Sequence, residues 1–150
     1  MSGGPIRVTD AAARKVRAAD VMSTPVLAVT VDATLERAGE VLARNGFTTL
    51  PVVDEYGRLC GLITEEALAG AHLARLSVYA DLPEPIVSAI RRPLTVRAVA
   101  LPPVALDADA ELFDIARAML QMRLRSVPVV RDGRPIGIVS WRNILPLLEH

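Results

Sequence analysis

Few side chains in this 150-residue chain could do covalent or metal chemistry. Cys60 is the only cysteine, which excludes an intramolecular disulfide and a thiolate zinc cluster. Of the two histidines, His150 ends a Leu148, Glu149, His150 stretch of the kind a purification tag leaves, so only His72 remains for chemistry. Neither residue stands in a pattern that pairs a nucleophile with a base, and no carboxylate pair or metal-ligand spacing occurs. Both read as structural, Cys60 as a small side chain packing within a strand. The chain is therefore not expected to be an enzyme or to carry a catalytic cofactor. Binding chemistry is what remains. Thr64 and Ser140 each follow a short β-branched run and precede a helical segment, where a hydroxyl caps the helix start. The unpaired N–H groups and positive dipole end there suit a phosphate. Around Ser140 the charge is one-sided: Arg117, Arg123, Arg125, Arg131, Arg134 and Arg142 face only Asp132. Glu65 and Glu66 beside Thr64 would repel an anion.

The elements that must position these residues come from an internal repeat. Pro25 to Leu35 aligns with Pro102 to Leu112, and Leu50 to Val53 with Val127 to Val130, both at an offset of 77. Gly61 to Thr64 aligns with Gly137 to Ser140 at an offset of 76. The slip of one residue falls in a hairpin loop, where Asp54 to Arg58 becomes Arg131 to Arg134. Asp132 and Gly133 signal a type I′ turn, which needs φ > 0 at both central positions. Each copy reads as strand, helix, strand, hairpin, strand, helix. One helix is carried by Leu35, Ala38, Val41 and Leu42 on one face, its counterpart by Leu112, Ile115, Ala116, Met119, Leu120 and Met122. The strands are Val52 and Val53, Leu62 and Ile63, Val129 and Val130, and Ile136 to Val139. Asp32 and Asp109 stand just ahead of the helices as caps. Between the copies, His72 to Pro93 is a connector with three prolines and the pair Arg91, Arg92, containing short helices over Ala69 to Val78 and Pro85 to Ile90. The boundaries expected are an N-terminal arm 1–18, repeats at 19–70 and 97–148, and a connector 71–96.

Half of the residues are apolar and 17 basic side chains balance 17 acidic ones, so one compact domain or two small halves sharing a core is expected. Zero net charge and an aromatic count of two Phe, two Tyr and one Trp argue against nucleic-acid binding. The longest apolar stretch, Ala98 to Leu106, is nine residues broken by Pro102 and Pro103, against about 20 for a bilayer span. No membrane partner is expected. The N-terminal segment lacks the apolar core of a signal peptide, and a cytoplasmic location fits the lone cysteine.

The segments Ala19 to Pro25, Phe47 to Asp54 and Gly61 to Thr64, echoed by Arg125 to Val130 and Gly137 to Ser140, resemble a pair of cystathionine β-synthase (CBS) domains, the Bateman module. The resemblance covers about residues 19 to 145, and two copies in the same order at one spacing make it specific. It implies an α+β fold of two βαββα repeats packed sheet to sheet about a pseudo-twofold axis, with clefts between them and a homodimer. It also implies a regulatory ligand: AMP, ADP, ATP or S-adenosylmethionine.

The family's binding signature is Gly-x-x-Thr/Ser-x-x-Asp. The second copy matches it with Gly137, Ser140 and Asn143, where asparagine keeps hydrogen-bonding capacity but loses the charge that strengthens such bonds. The first copy offers Gly61, Thr64 and Ala67, and alanine cannot grip a ribose. The family completes the adenine side from the opposite repeat, which nominates Met22, Leu27, Phe47 and Thr48 beside Ile138, Ser140 and Asn143, with Arg125 toward phosphate. The other cleft would use Arg97 to Leu101, where the motif is degenerate. Each residue also has a plain structural reading: Ser140 as a cap, Met22, Leu27 and Phe47 as core, Arg125 as surface charge, Trp141 at a dimer face or a cleft edge. Two functions follow. One is a non-catalytic ligand sensor that binds a small-molecule nucleotide and regulates an unidentified protein; the other is a ligand-independent dimerisation or docking scaffold.

Overall fold

The computed structural model describes residues 16–91 and 93–149. Most of the N-terminal arm, Arg92 of the arginine pair and His150 lie outside the described residues. Two compact units emerge, each with its own apolar core. One comprises Leu27–Tyr56 and Cys60–Pro103; the other comprises the described residues up to Val26, Gly57–Leu59, and Val104 onward.

In the first-repeat unit, β1 (Val29–Thr30) is followed by α2 (Leu35–Asn45), β2 (Thr49–Val53), β3 (Leu59–Thr64) and α3 (Glu65–Tyr79). The sheet order is β1-β2-β3, with β1 parallel to β2 and Val29 opposite Val52. Leu35, Ala38 and Leu42 recur at helical spacing and are buried with Leu50, Val52 and Ile63. Thr34, not Asp32, caps α2, its Oγ1 accepting the Arg37 N–H at 3.1 Å. Asp32 sits two residues too early and instead pairs with Arg97 at 3.4 Å. Gly46 ends α2 in the left-handed region, φ 63°, where an L side chain is strained. Thr64 caps α3, accepting the Ala67 N–H at 3.1 Å. The helix expected over Ala69 to Val78 is therefore the continuation of the one Thr64 starts, since only Gly70 weakens helix propensity between them. Next come α4 (Glu84–Ile90), matching the expected Pro85 helix, and α5 (Val96–Val99).

The second repeat has the same order: β4 (Leu106–Asp107), α6 (Leu112–Met122), β5 (Ser126–Arg131), β6 (Arg134–Ser140) and α7 (Trp141–Leu148). Its sheet is β4-β5-β6, β4 parallel and β6 antiparallel to β5. Asp132 and Gly133 have φ of 54° and 78°, the type I′ hairpin expected from their residue types. Asp109 does not cap α6; Glu111 occupies that position, and Asp109 donates its N–H to the Asp107 carboxylate. Leu112, Ile115 and Met119 are buried, but Leu120 and Met122 are 68% and 51% exposed. They stand one and three residues beyond Met119, rotated off the buried stripe.

Each unit also takes in a short leading segment. In the second-repeat unit this is α1 (Ala18–Val21) with Ser23: Ala18 N–H donates to Ala110 O at 2.9 Å, and Ser23 and Ile138 exchange both backbone bonds at 2.7 and 3.1 Å. In the first-repeat unit it is α5 with Leu101: Val96 N–H donates to Ala33 O at 2.8 Å, and Leu101 and Leu62 exchange bonds at 2.8 and 3.0 Å. Thus the segment preceding the first repeat packs on the second repeat's sheet, and the segment preceding the second packs on the first's. No helix among the described residues is long and apolar enough to cross a membrane.

Candidate functional site

At the end of β6 the chain turns into α7 with Ser140 as the cap, and Asn143 folds back on it in a capping box. Asn143 Oδ1 accepts from the Ser140 backbone N–H at 2.8 Å and from its hydroxyl at 3.0 Å. The other end of the amide is also engaged: Asn143 Nδ2 donates to Ser23 Oγ at 3.2 Å. Three polar side chains from two distant parts of the sequence therefore meet at one helix start. Ser23 was not among the residues nominated from sequence. Its signal was its place in the Met22, Ser23, Thr24, Pro25 motif, but only the backbone pairing with Ile138 brings it to Asn143.

Beneath this cluster the leading segment lies directly against β6. A Cβ at Gly137 would collide with the Met22 side chain, so glycine is what lets the two backbones approach. Met22 is half-buried against the core of this unit, as are Ile136 and Trp141. Ile138 is buried beside it. Arg125 donates no ion pair among the described residues; its side chain is exposed while its carbonyl accepts the Trp141 N–H at 3.4 Å. Of the nominated residues, Met22, Arg125, Ile138, Ser140 and Asn143 share the second-repeat unit. Leu27, Phe47 and Thr48 belong to the first-repeat unit, where Leu27 is exposed, Phe47 packs against the core, and the Thr48 carbonyl accepts the Glu65 N–H at 3.2 Å.

The corresponding helix start in the first-repeat unit has different chemistry. Thr64 caps Ala67 N–H, but Ala67 has no polar group, the residue opposite Leu62 is Leu101 instead of a serine, and Glu65 and Glu66 are exposed. The sequence contrast between the copies thus becomes a contrast between a polar cluster and an apolar, acidic one. Cys60 departs from its expected role: it is exposed, not packed. Its thiol is pushed up from the ordinary range by partial burial, then by the Asp54 carboxylate, with Arg97 pulling the other way. Among the described residues, no group of three or more His, Cys, Asp or Glu is placed to hold a metal ion.

The family model described as the CBS domain matches residues 18–73 and again 93–150. The chain belongs to the CBS domain family. As a CBS pair it is similar to the CBS domain of a CBS domain-containing membrane protein from Sphaerobacter thermophilus, 32% identical, covering 94% of this chain and 93% of that one with a TM-score of 0.71. It is also similar to CBSX2 in complex with AMP, 25% identical, covering 89% and 96% with a TM-score of 0.69. A CBS domain-containing protein of Dictyostelium discoideum is 30% identical over 89% of this chain and 92% of its own length. Other curated relatives are longer: the chain spans only 15%, 54% and 41% of three of them.

Proposed function

We propose that this CBS pair is a non-catalytic regulatory module that binds an adenine nucleotide or related adenosyl ligand at the start of α7 and acts as a cytoplasmic homodimer on an unidentified protein. The observation that carries this reading is the Ser23, Ser140, Asn143 cluster at a helix N-terminus. Its hydroxyls and amide offer donors and acceptors suited to a ribose diol, and the dipole end favours phosphate. Arg125 supplies an exposed cation nearby in sequence, and Met22 and Ile138 supply apolar surface for a base. The AMP complex of the similar CBSX2 adds support from outside the chain.

A second reading has its own observation. Asn143 already uses both ends of its amide within the protein, and asparagine lacks the charge of the family's aspartate. A scaffold that docks or dimerises without ligand would tolerate such a closed cluster.

The melting temperature and the fluorescence of Trp141, the sole tryptophan, separate the two. AMP, ADP, ATP or S-adenosylmethionine at about 100 times its Kd should stabilise the folded state by about 2.7 kcal/mol. The combined Ser140→Ala and Asn143→Ala substitutions should remove the response and Thr64→Ala should leave it. No response to any of the four at millimolar concentration favours the scaffold, and loss in Thr64→Ala alone moves the site to the first repeat.

A further inference from the structure

The internal repeat supplies a reference for what the fold itself asks of each exposed position. The helices α2 and α6 correspond residue for residue at the offset of 77, and the same three positions are exposed on both: Glu36, Glu40 and Ala43 on α2, Phe113, Arg117 and Leu120 on α6. Each helix buries a different stripe, Leu35, Ala38 and Leu42 in one and Leu112, Ile115 and Met119 in the other. Polar and small side chains on the outer stripe of α2 therefore satisfy this architecture. On α6 the same stripe carries an aromatic ring that is 45% exposed and a leucine that is 68% exposed. Seven residues apart, Phe113 and Leu120 point in nearly one direction, with Arg117 between them.

The charges on this stripe differ as well. On α2, Arg37 and Glu40 pair with each other at 3.3 Å. Asp114 and Arg117 hold the same two positions on α6 with the signs exchanged, but they do not pair with each other, and among the described residues neither side chain has an ion pair. An exposed carboxylate and an exposed guanidinium are thus left one turn apart, bracketed by two exposed apolar side chains. That arrangement is self-complementary. A second α6 laid antiparallel about a two-fold axis near Ala116 and Arg117 sets Phe113 on the partner's Leu120 and Leu120 on the partner's Phe113. Asp114 and Arg117 lie on the same side of the stripe, so each carboxylate then meets the partner's guanidinium, which fixes the register.

We propose that α6 is the seam of the homodimer, packed antiparallel on the α6 of a second copy of this chain through Phe113 and Leu120, with Asp114 and Arg117 paired across the axis. The proposal rests on the homodimer reading above and names its surface.

The test measures self-association of the full chain by sedimentation equilibrium across a concentration series. The wild type should be a dimer. Phe113→Glu with Leu120→Ala, which copies the α2 side chains already compatible with this architecture, should weaken the dimer about thirtyfold or more. Asp114→Arg alone and Arg117→Asp alone should each weaken it about tenfold, because like charges then meet across the axis. An equimolar mixture of those two variants should recover wild-type affinity as a heterodimer, since every crossing pair is again of opposite sign. Both charges are exposed, so these variants keep the test decisive should the first one fail to fold. A monomeric wild type overturns the homodimer itself and this surface with it. A dimer indifferent to all the substitutions, or a mixture no tighter than either variant alone, overturns the α6 seam and leaves the homodimer on another face.

Discussion

Asn143 is where a single side chain decides most. Its Oδ1 and Nδ2 hold Ser140 and Ser23 together, and a carboxylate in its place would add charge at a helix N-terminus as well as to a ribose. If the site binds AMP, Asn143→Asp should tighten it about fivefold, the worth of roughly 1 kcal/mol from a charge-assisted bond, as measured by calorimetry. Unchanged or weaker binding would mean that the ribose is not held there. Cys60 gives a pH-dependent observable. With its thiol raised by burial and by Asp54, its alkylation by iodoacetamide should reach half its maximal rate at a higher pH than that of a free cysteine. Asp54→Asn should move that midpoint down. Ser140 and Asn143 were legible in the sequence because their spacing is local to one helix turn. Ser23 was not, because it lies 120 residues from Asn143 and reaches it only through strand pairing.

Among elements, the contact that brings Ser23 to Asn143 is the leading segment on β6. Gly137→Ala should destabilise the protein by about 1–3 kcal/mol, because the new methyl overlaps Met22. Adding Met22→Ala should recover part of that loss in urea denaturation; no recovery would locate the strain elsewhere. The equivalent Gly61→Ala meets the Leu101 carbonyl at 3.1 Å, a backbone atom that cannot rotate away, so no single side-chain truncation should rescue it. Helix faces were legible as far as Leu35, Ala38 and Leu42 or Leu112, Ile115 and Met119, where apolar spacing follows the helical period. Leu120 and Met122 misled because apolar type was read as burial. The caps were shifted from Asp32 and Asp109 by two residues, since several polar residues precede each helix and only backbone geometry selects among them.

At the scale of the molecule, stability is unevenly distributed. Leu35→Ala and Leu112→Ala each remove a fully buried side chain from one of the two cores and should each cost about 2–5 kcal/mol. By contrast, Leu68 is the buried residue of α3, while Leu73, Leu76 and Val78 are exposed. The amides of Leu73–Tyr79 should therefore exchange hydrogen about tenfold faster than those of the buried face of α2. Equal protection would show that another surface covers that half of α3 in solution. The duplication, the βαββα order of each copy, the hairpin turn and the polar contrast between Ser140 and Thr64 were all set by the sequence alone, because periodicity, turn chemistry and side-chain type are properties of neighbours along the chain. Only the tertiary structure decided that each leading segment packs on the other repeat's sheet, that Ser23 completes the Asn143 cluster, and that Cys60 is exposed instead of packed. Those outcomes depend on which distant backbones pair and on the volume left between them, and neither quantity is written in local sequence.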